Sequence, residues 1–154
     1  MDADHTEIRR AQATDAAEMA RLAGELGYPM SSAEMTRRLA QLLPDAHHYI
    51  VVVASGARLW GWMHVERRFS LEGGDRAELM GLVVDAGARR RGFGRELVDV
   101  AENWTLAQGL SSITVRSNAA RELSHPFYVS LGYSRSKTQH VYTKPVANLT
   151  GEAP

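Results

Sequence analysis

The chain has 154 residues, 44% hydrophobic and 23% charged, with 18 acidic and 18 basic side chains and a formal net charge of zero. Such a composition suits one globular domain with a sizeable core and excludes a generally basic polyanion binder, so no nucleic-acid partner is expected. The absence of cysteine excludes disulfides, thiolate metal sites and a cysteine nucleophile. No apolar run approaches membrane-spanning length, and the N-terminus lacks the apolar core of a signal peptide, so no membrane partner and a cytoplasmic location are the expectations.

Ile8 to Ala13 reads as a short first strand. Thr14 or Asp15 then caps a helix carrying Met19, Leu22, Ala23 and Leu26 on one face, with Asp15 and Glu18 spaced as a capping box. Gly27 can end that helix in a left-handed residue, and Pro29 prevents its continuation. Ser31 to Glu34 forms a second capping box, opening a helix with Met35, Leu39, Leu42 and Leu43 inward and Pro44 as its stop. Tyr28, in the turn between the helices, reads as an aromatic packed on the core beside the turn.

Tyr49 to Ala54 reads as a buried strand. After the Ser55–Ala57 turn, Leu59, Gly61, Met63 and Val65 alternate with Trp60, Trp62 and His64, which predicts a hairpin partner. Residues 67–76 are polar and broken by Gly73 and Gly74. They are expected to be a loop, either a hairpin connection or the rim of a binding site. His47 and His48 are neighbours on an expected strand, point to opposite faces, and cannot chelate one metal; no metal site is expected.

The next stretch is the most informative. Leu79, Met80, Leu82, Val83 and Val84 form a nearly continuous apolar run, as in a strand buried on both faces. Beyond a short turn, Phe93, Leu97, Ala101 and Trp104 recur at helical spacing, with Val100 between them. The turn itself, Arg89-Arg90-Arg91-Gly92-Phe93-Gly94 followed by Arg95, gathers cations and glycines where a helix begins. Unpaired N–H groups and the helix dipole suit that point to a phosphate, and glycine allows close backbone approach. A dinucleotide fingerprint would need glycine at position 97, which is Leu, and no Gly-Lys-Ser/Thr of a P-loop occurs. Gly109 ends the helix, and Ser112 to Arg116 reads as a further strand. A helix ending near Tyr128 follows, with Pro126 inside it suggesting a kink. Residues 134–144, including Val141 and Tyr142, read as a last pair of strands, and the tail from Pro145 as frayed.

Arg89-x-x-Gly92-x-Gly94 after a Leu-Val-Val strand resembles the signature of the GCN5-related N-acetyltransferase (GNAT) family. Asn118 after a strand, followed by Tyr128, Gly132 and Tyr133, resembles that family's C-terminal signature, although ten residues separate Asn118 from Tyr128 where eight is more usual. The resemblance covers residues 6–144. It implies a single-domain α/β fold over 1–154, with a mixed central sheet of about six to seven strands flanked by about four helices. It also implies an acetyl-coenzyme A-dependent N-acetyltransferase acting directly on a primary amine of a small molecule, peptide or protein, and a possible homodimer. In that family the backbone at Leu82, Val83 and Val84 pairs with the pantetheine arm. Arg89, Arg90, Arg91, Gly92, Phe93, Gly94 and Arg95 surround the pyrophosphate. Asn118 contacts the cofactor or merely caps a helix. The resemblance also implies that the turn Gly27-Tyr28-Pro29 between the first two helices lines the acceptor pocket.

Chemistry then needs a proton removed from the amine and one delivered to the departing thiolate. The resemblance makes Tyr128 the general acid, since a phenol titrating near about 10 suits a thiol near about 8 to 9. Glu78, eleven residues before Arg89, stands where the histone-acetylating branch carries its catalytic glutamate. Desolvation at the start of an apolar strand would raise its pKa and make it the base; the other reading is an exposed strand-start glutamate. His125, acting through a water, is the second candidate. A non-catalytic acyl-CoA-binding module of the same fold is the alternative function.

Overall fold

The computed structural model describes residues 5–116 and 124–147. The chain divides into two compact units, Met1–Arg116 and Ser117–Pro154. In the first, β1 (Glu7–Arg10), α1 (Ala16–Glu25), α2 (Ser32–Leu42), β2 (His48–Ser55), β3 (Arg58–Ser70), β4 (Gly74–Val84), α3 (Phe93–Ala107) and β5 (Ile113–Val115) follow one another. They build a five-stranded sheet in the order β1-β2-β3-β4-β5, antiparallel except for the parallel β4–β5 pair. This is the expected mixed sheet, with five strands among the described residues rather than six or seven.

One face of the sheet is covered by α1 and α2. Their apolar stripe, Met19, Leu22, Ala23, Met35 and Leu39, packs on Ile50, Val52, Ala54, Leu59 and Val83. The stripes come from helical spacing of apolar residues, and the ends from local chemistry. The Ser31 hydroxyl accepts from the Glu34 N–H at 3.0 Å, whereas the Glu34 carboxylate turns to Arg37 and Arg38 instead of completing a capping box. Gly27 ends α1 with φ +95° and Gly109 ends α3 with φ +79°, the left-handed conformation expected of each. At the start of α1 the expected box fails differently. Asp15 takes two bonds from Arg9 and one from the Gln12 N–H, while Glu18 is drawn to Arg21 and the Leu59 N–H. Burial pushes the Asp15 carboxyl up, but these donors outweigh it and hold it below the ordinary carboxylate range.

The other face is covered by α3, which packs on β2, β3 and β4. Its buried stripe is Phe93, Leu97, Val98, Ala101 and Thr105. Trp104 is half-buried rather than central, stacked on Tyr49 at 6.0 Å.

Two irregularities correct the simple alternation read from the sequence. Between Val53/Gly61 and Ala54/Leu59 the β2–β3 register shifts, leaving Trp60 as an extra residue. Leu59 therefore joins the α1/α2 core, while Gly61 faces α3. A second shift lies between His64/Gly81 and Val65/Leu79, leaving Met80 as the extra residue of β4. Met80 is 45% exposed, so the central strand is not buried along both faces as expected. The stretch 67–76 is no loop: both strands run on through it and turn at Leu71–Gly73, the hairpin alternative.

In the second unit α4 spans Ser124–Ser130. Pro126 sits in its first turn, where no N–H is required, so no kink follows. Residues 134–144 form no strand and are exposed, against the expected final pair. The segment is mostly polar and offers no apolar face of the kind a two-stranded ribbon needs for stability.

A Cβ at Gly61 would lie 2.8 Å from the Val83 carbonyl oxygen and 3.4 Å from Leu97. Gly61→Ala should lower the urea midpoint by the equivalent of about 1–3 kcal/mol, as measured by circular dichroism.

Candidate active site

The site forms where β4 loses its neighbour. β4 pairs with β3 through Val84 but with β5 only from Ala77 to Leu79, among the described residues. The Asp85 N–H donates to the Trp60 carbonyl at 2.8 Å. Backbone groups alternate sides along an antiparallel strand, so Val83 faces β3 while Leu82 and Val84 turn their N–H and C=O groups to the opposite edge. That edge is where a ligand with amide groups can add to the sheet.

The chain leaves β4 through Asp85, a residue only 4% exposed whose carboxylate anchors the turn. It accepts from the Gly87 N–H at 2.7 Å, from Arg21 at 2.9 Å and from Arg58 at 3.2 Å. Burial pushes the Asp85 carboxyl up, yet the Gly87 N–H and the two guanidiniums overcome it and hold it low. Arg21 also binds Glu18, Glu25 and the Leu59 carbonyl, so α1 is tied to the start of the turn. No local pattern announces this cluster, because Arg21 and Asp85 are 64 residues apart.

The turn contains two left-handed residues, Arg90 at φ +72° and Gly92 at φ +83°. A non-glycine residue in that region is uncommon and marks a constrained loop. Gly92 is the N-cap of α3, no side chain caps the helix, and the space beside its Cα is open. The Gly92, Phe93, Gly94 and Arg95 N–H groups have no intrahelical acceptor, and the first intrahelical bond runs from Glu96 to Gly92 at 3.0 Å. Arg89, Arg90 and Arg95 are exposed around them. Arg91 instead lies over the rings of Phe93, at 5.0 Å, and Trp60, at 5.6 Å. The strand edge, the uncapped helix terminus and the exposed arginines fit a phosphate-bearing cofactor with an amide-rich arm.

Glu78 is not the exposed strand-start glutamate of one sequence reading. It lies in the interior of β4, not at its start, and is 1% exposed. Arg68 donates to Oε2 at 3.0 Å, and Arg116 and Arg76 stand 3.2 and 3.9 Å from Oε1. Glu66 lies directly opposite it on β3. The guanidiniums offset the repulsion between these paired carboxylates.

A group that sequence reading passed over sits on the same sheet face. His48 Nδ1 and His64 Nε2 are 2.9 Å apart. His48 Nε2 lies 3.5 Å from Glu66 and 3.8 Å from Asp45. Burial, with the neighbouring His48 adding to it, pushes the His64 imidazole down to about 4. Nearby, Trp62 donates its indole N–H to the Met19 carbonyl at 3.2 Å. Tyr28 is half-exposed and lines a hollow of about 630 Å³ with Pro29, Glu34, Arg37 and Arg38.

In the second unit Tyr128 is half-buried, edge-on to Phe127 at 5.1 Å and to Tyr133 at 5.9 Å. The Tyr133 and Leu131 N–H groups close the helix end onto its carbonyl. Asn118 lies outside the described residues, as does the side chain of His125. No group of three or more metal-ligating side chains occurs, and no helix is long and apolar enough to cross a membrane, among the described residues.

Comparison with known proteins adds the following. The family model described as "Acetyltransferase (GNAT) family" matches residues 15–133. An uncharacterized N-acetyltransferase, YhdJ of Bacillus subtilis (strain 168), is 30% identical over 80 residues, which are 51% of this chain and 55% of that protein. This chain thus spans about half the length of that curated relative. A transcriptional regulator from Bacillus halodurans C-125 superposes with a TM-score of 0.81 at 21% identity, over 91% of this chain and 100% of that one. Aminoglycoside N-acetyltransferase AAC(6')-Iy, solved in complex with CoA, superposes with a TM-score of 0.81 at 17% identity, over 91% of this chain and 95% of that one. At these identities the two structures establish the fold.

His64 sets a pH dependence whose sign follows from its lowered value. The unfolded imidazole, titrating near 6.5, binds a proton that the folded one refuses until about 4. Stability should therefore be full above pH 6.5 and fall as pH drops toward 4, with His64 contributing up to about 3 kcal/mol of that loss. Urea titrations from pH 7 to 4 should show a flatter decline for His64→Gln than for the wild type.

Proposed function

We propose that this chain, which belongs to the acetyltransferase (GNAT) family, moves an acetyl group from acetyl-CoA directly to a primary amine of a small molecule. One observation carries the reading: the strand edge at Leu82 and Val84, beyond the reach of β5 and unpaired among the described residues, runs into an uncapped helix terminus with a left-handed glycine. When bound, acetyl-CoA supplies the acyl group as an activated thioester. Leu82 and Val84 would hold its arm by backbone pairing. The N–H groups of Gly92, Phe93, Gly94 and Arg95, with Arg89 and Arg90, would hold its pyrophosphate. Such positioning supplies a large part of the acceleration in a reaction between two bound partners.

Tyr128 is the proposed proton donor to the departing sulfur, carried over from its place in the family motif, and Asn118 is the proposed further cofactor contact. Glu78 is the proposed base: Arg68 donates to Oε2 at 3.0 Å, while Oε1 accepts no hydrogen bond among the described residues although Arg116 stands 3.2 Å from it. The guanidiniums around it favour the second reading, a regulatory module that binds acyl-CoA without turning it over. A small-molecule acceptor agrees with the size of the hollow beside Tyr28. An acetyl-CoA-binding protein of this composition is proposed to work in the cytoplasm. Homodimerisation, proposed from the exposed Val141, Tyr142 and Val146, predicts twice the 17.0 kDa chain mass by light scattering.

Calorimetric titration tests the cofactor: acetyl-CoA should bind, and ATP and NAD should not. Gly94→Glu should leave the fold intact, since a carboxylate suits a helix N-terminus. Its repulsion of the pyrophosphate should weaken acetyl-CoA at least tenfold; unchanged affinity would refute the assignment of the turn. Tyr128→Phe should keep acetyl-CoA affinity within about twofold while lowering kcat roughly 10²-fold. The thiol-release rate with a panel of primary amines reports the latter, and no turnover by the wild type on any amine would favour the regulatory module.

A further inference from the structure

The hollow beside Tyr28 has an uneven wall. One side is the turn that ends α1, fixed by the left-handed Gly27 and by the Tyr28 N–H, which donates to the Ala23 carbonyl at 3.0 Å. That side offers the half-exposed Tyr28 with Pro29 and Met30, and no charge. The other side is the start of α2, and it carries all the formal charge of the lining in Glu34, Arg37 and Arg38. One carboxylate against two guanidiniums leaves one positive charge in excess.

The excess is available on Arg38. Arg37 Nη2 donates to both oxygens of Glu34, each at 2.6 Å, so that carboxylate and that guanidinium offset each other. Arg38 donates to Glu34 through Nε alone, at 2.9 Å. Its two terminal nitrogens, a fork that matches a carboxylate or a phosphate, make no hydrogen bond among the described residues. The Nε bond already holds the side chain, which lowers the entropy lost when an anion binds. The hydrogen bond from Arg37, and then that from Arg38, keep the Glu34 carboxyl below its ordinary range, so it stays ionised and in place near neutrality.

The hollow also adjoins the path of the cofactor. Glu25, two residues before Gly27, accepts from the Ala86 N–H at 3.4 Å, and Arg21, one turn earlier, binds Asp85 at 2.9 Å. Asp85 directly follows Val84, where the arm is proposed to pair. An amine held in the hollow is therefore a neighbour of the arm. A polycation would meet a wall of its own sign there.

We propose that the acceptor is an amine that also carries an anionic group, a carboxylate or a phosphate, and that Arg38 binds this group in the hollow beside Tyr28. The inference rests on the acetyltransferase reading above and names the acceptor class for it. Arg38 holds the acceptor equally before and during the reaction, so its contribution falls on KM rather than kcat.

The test is the thiol-release rate of the full chain, saturated with acetyl-CoA, on three sets of primary amines. The anionic set is the common amino acids, β-alanine and O-phosphoethanolamine; propylamine is neutral; putrescine and spermidine are cationic. At least one anionic amine should exceed propylamine about tenfold in kcat/KM, with the cationic amines below both. Whether an amino acid or O-phosphoethanolamine leads tells carboxylate from phosphate. The Arg38 side chain is 57% exposed, so Arg38→Gln should fold. It should raise KM for the preferred amine about tenfold with kcat within about twofold. Added salt should raise the same KM, because the contact is exposed. Should Arg38→Gln not fold, Arg38→Lys, which keeps the charge and loses the fork, decides by the same KM. Preference for a neutral or cationic amine, or an unchanged KM in the variant, overturns the acceptor class and leaves the acetyltransferase reading standing. Failure of acetyl-CoA to bind, or binding without turnover of any amine, overturns that reading and the class with it.

Discussion

β4 is satisfied along its whole length on one side and over only a few residues on the other, among the described residues. β3 accompanies it from Gly74 to Val84, while β5 stops at the partner of Leu79. The bulge at Met80 coincides with that parting. A bulged strand bends and twists more strongly, which helps it leave a neighbour. Two consequences meet at one place. The polar edge of Leu82 and Val84 becomes available, and the chain continues within ten residues into the uncapped N-terminus of α3. An edge that binds amides and a terminus that binds anions are therefore consecutive in space, as a long cofactor with both kinds of group requires.

The turn between them is held from outside itself. Arg21 on α1 reaches Asp85, Leu59, Glu18 and Glu25, and Arg58 adds a second guanidinium to Asp85. Removing one partner from such a buried cluster costs more than the pair is worth when intact, because the remaining charge is stranded. The helix layer that forms one wall of the hollow beside Tyr28 is thus tied to the turn proposed to grip the pyrophosphate.

Zero net charge conceals a strongly patterned face. Along the α1/α2 side of the hairpin, arginines 68, 76 and 116 surround the buried Glu78, and the histidine pair abuts Glu66. A buried carboxylate ringed by guanidiniums is well suited to holding the architecture.

What the sequence determined by itself were features written in neighbouring residues. The left-handed ends at Gly27 and Gly109, the Ser31 cap, the amphipathic stripe of α3 and the Arg89–Gly94 turn all depend on spacing within a few positions, and all appear where local chemistry puts them. What only the tertiary structure decided were features that depend on register. A bulge adds one residue to one strand and flips the faces beyond it, and nothing local distinguishes Trp60 or Met80 from the residues beside them. For the same reason the exposure of Met80, the caging of Glu78 and the pairing of His48 with His64 were not legible. Each requires knowing which residue of another strand lies opposite, and strands of period two give no sign of a shift by one.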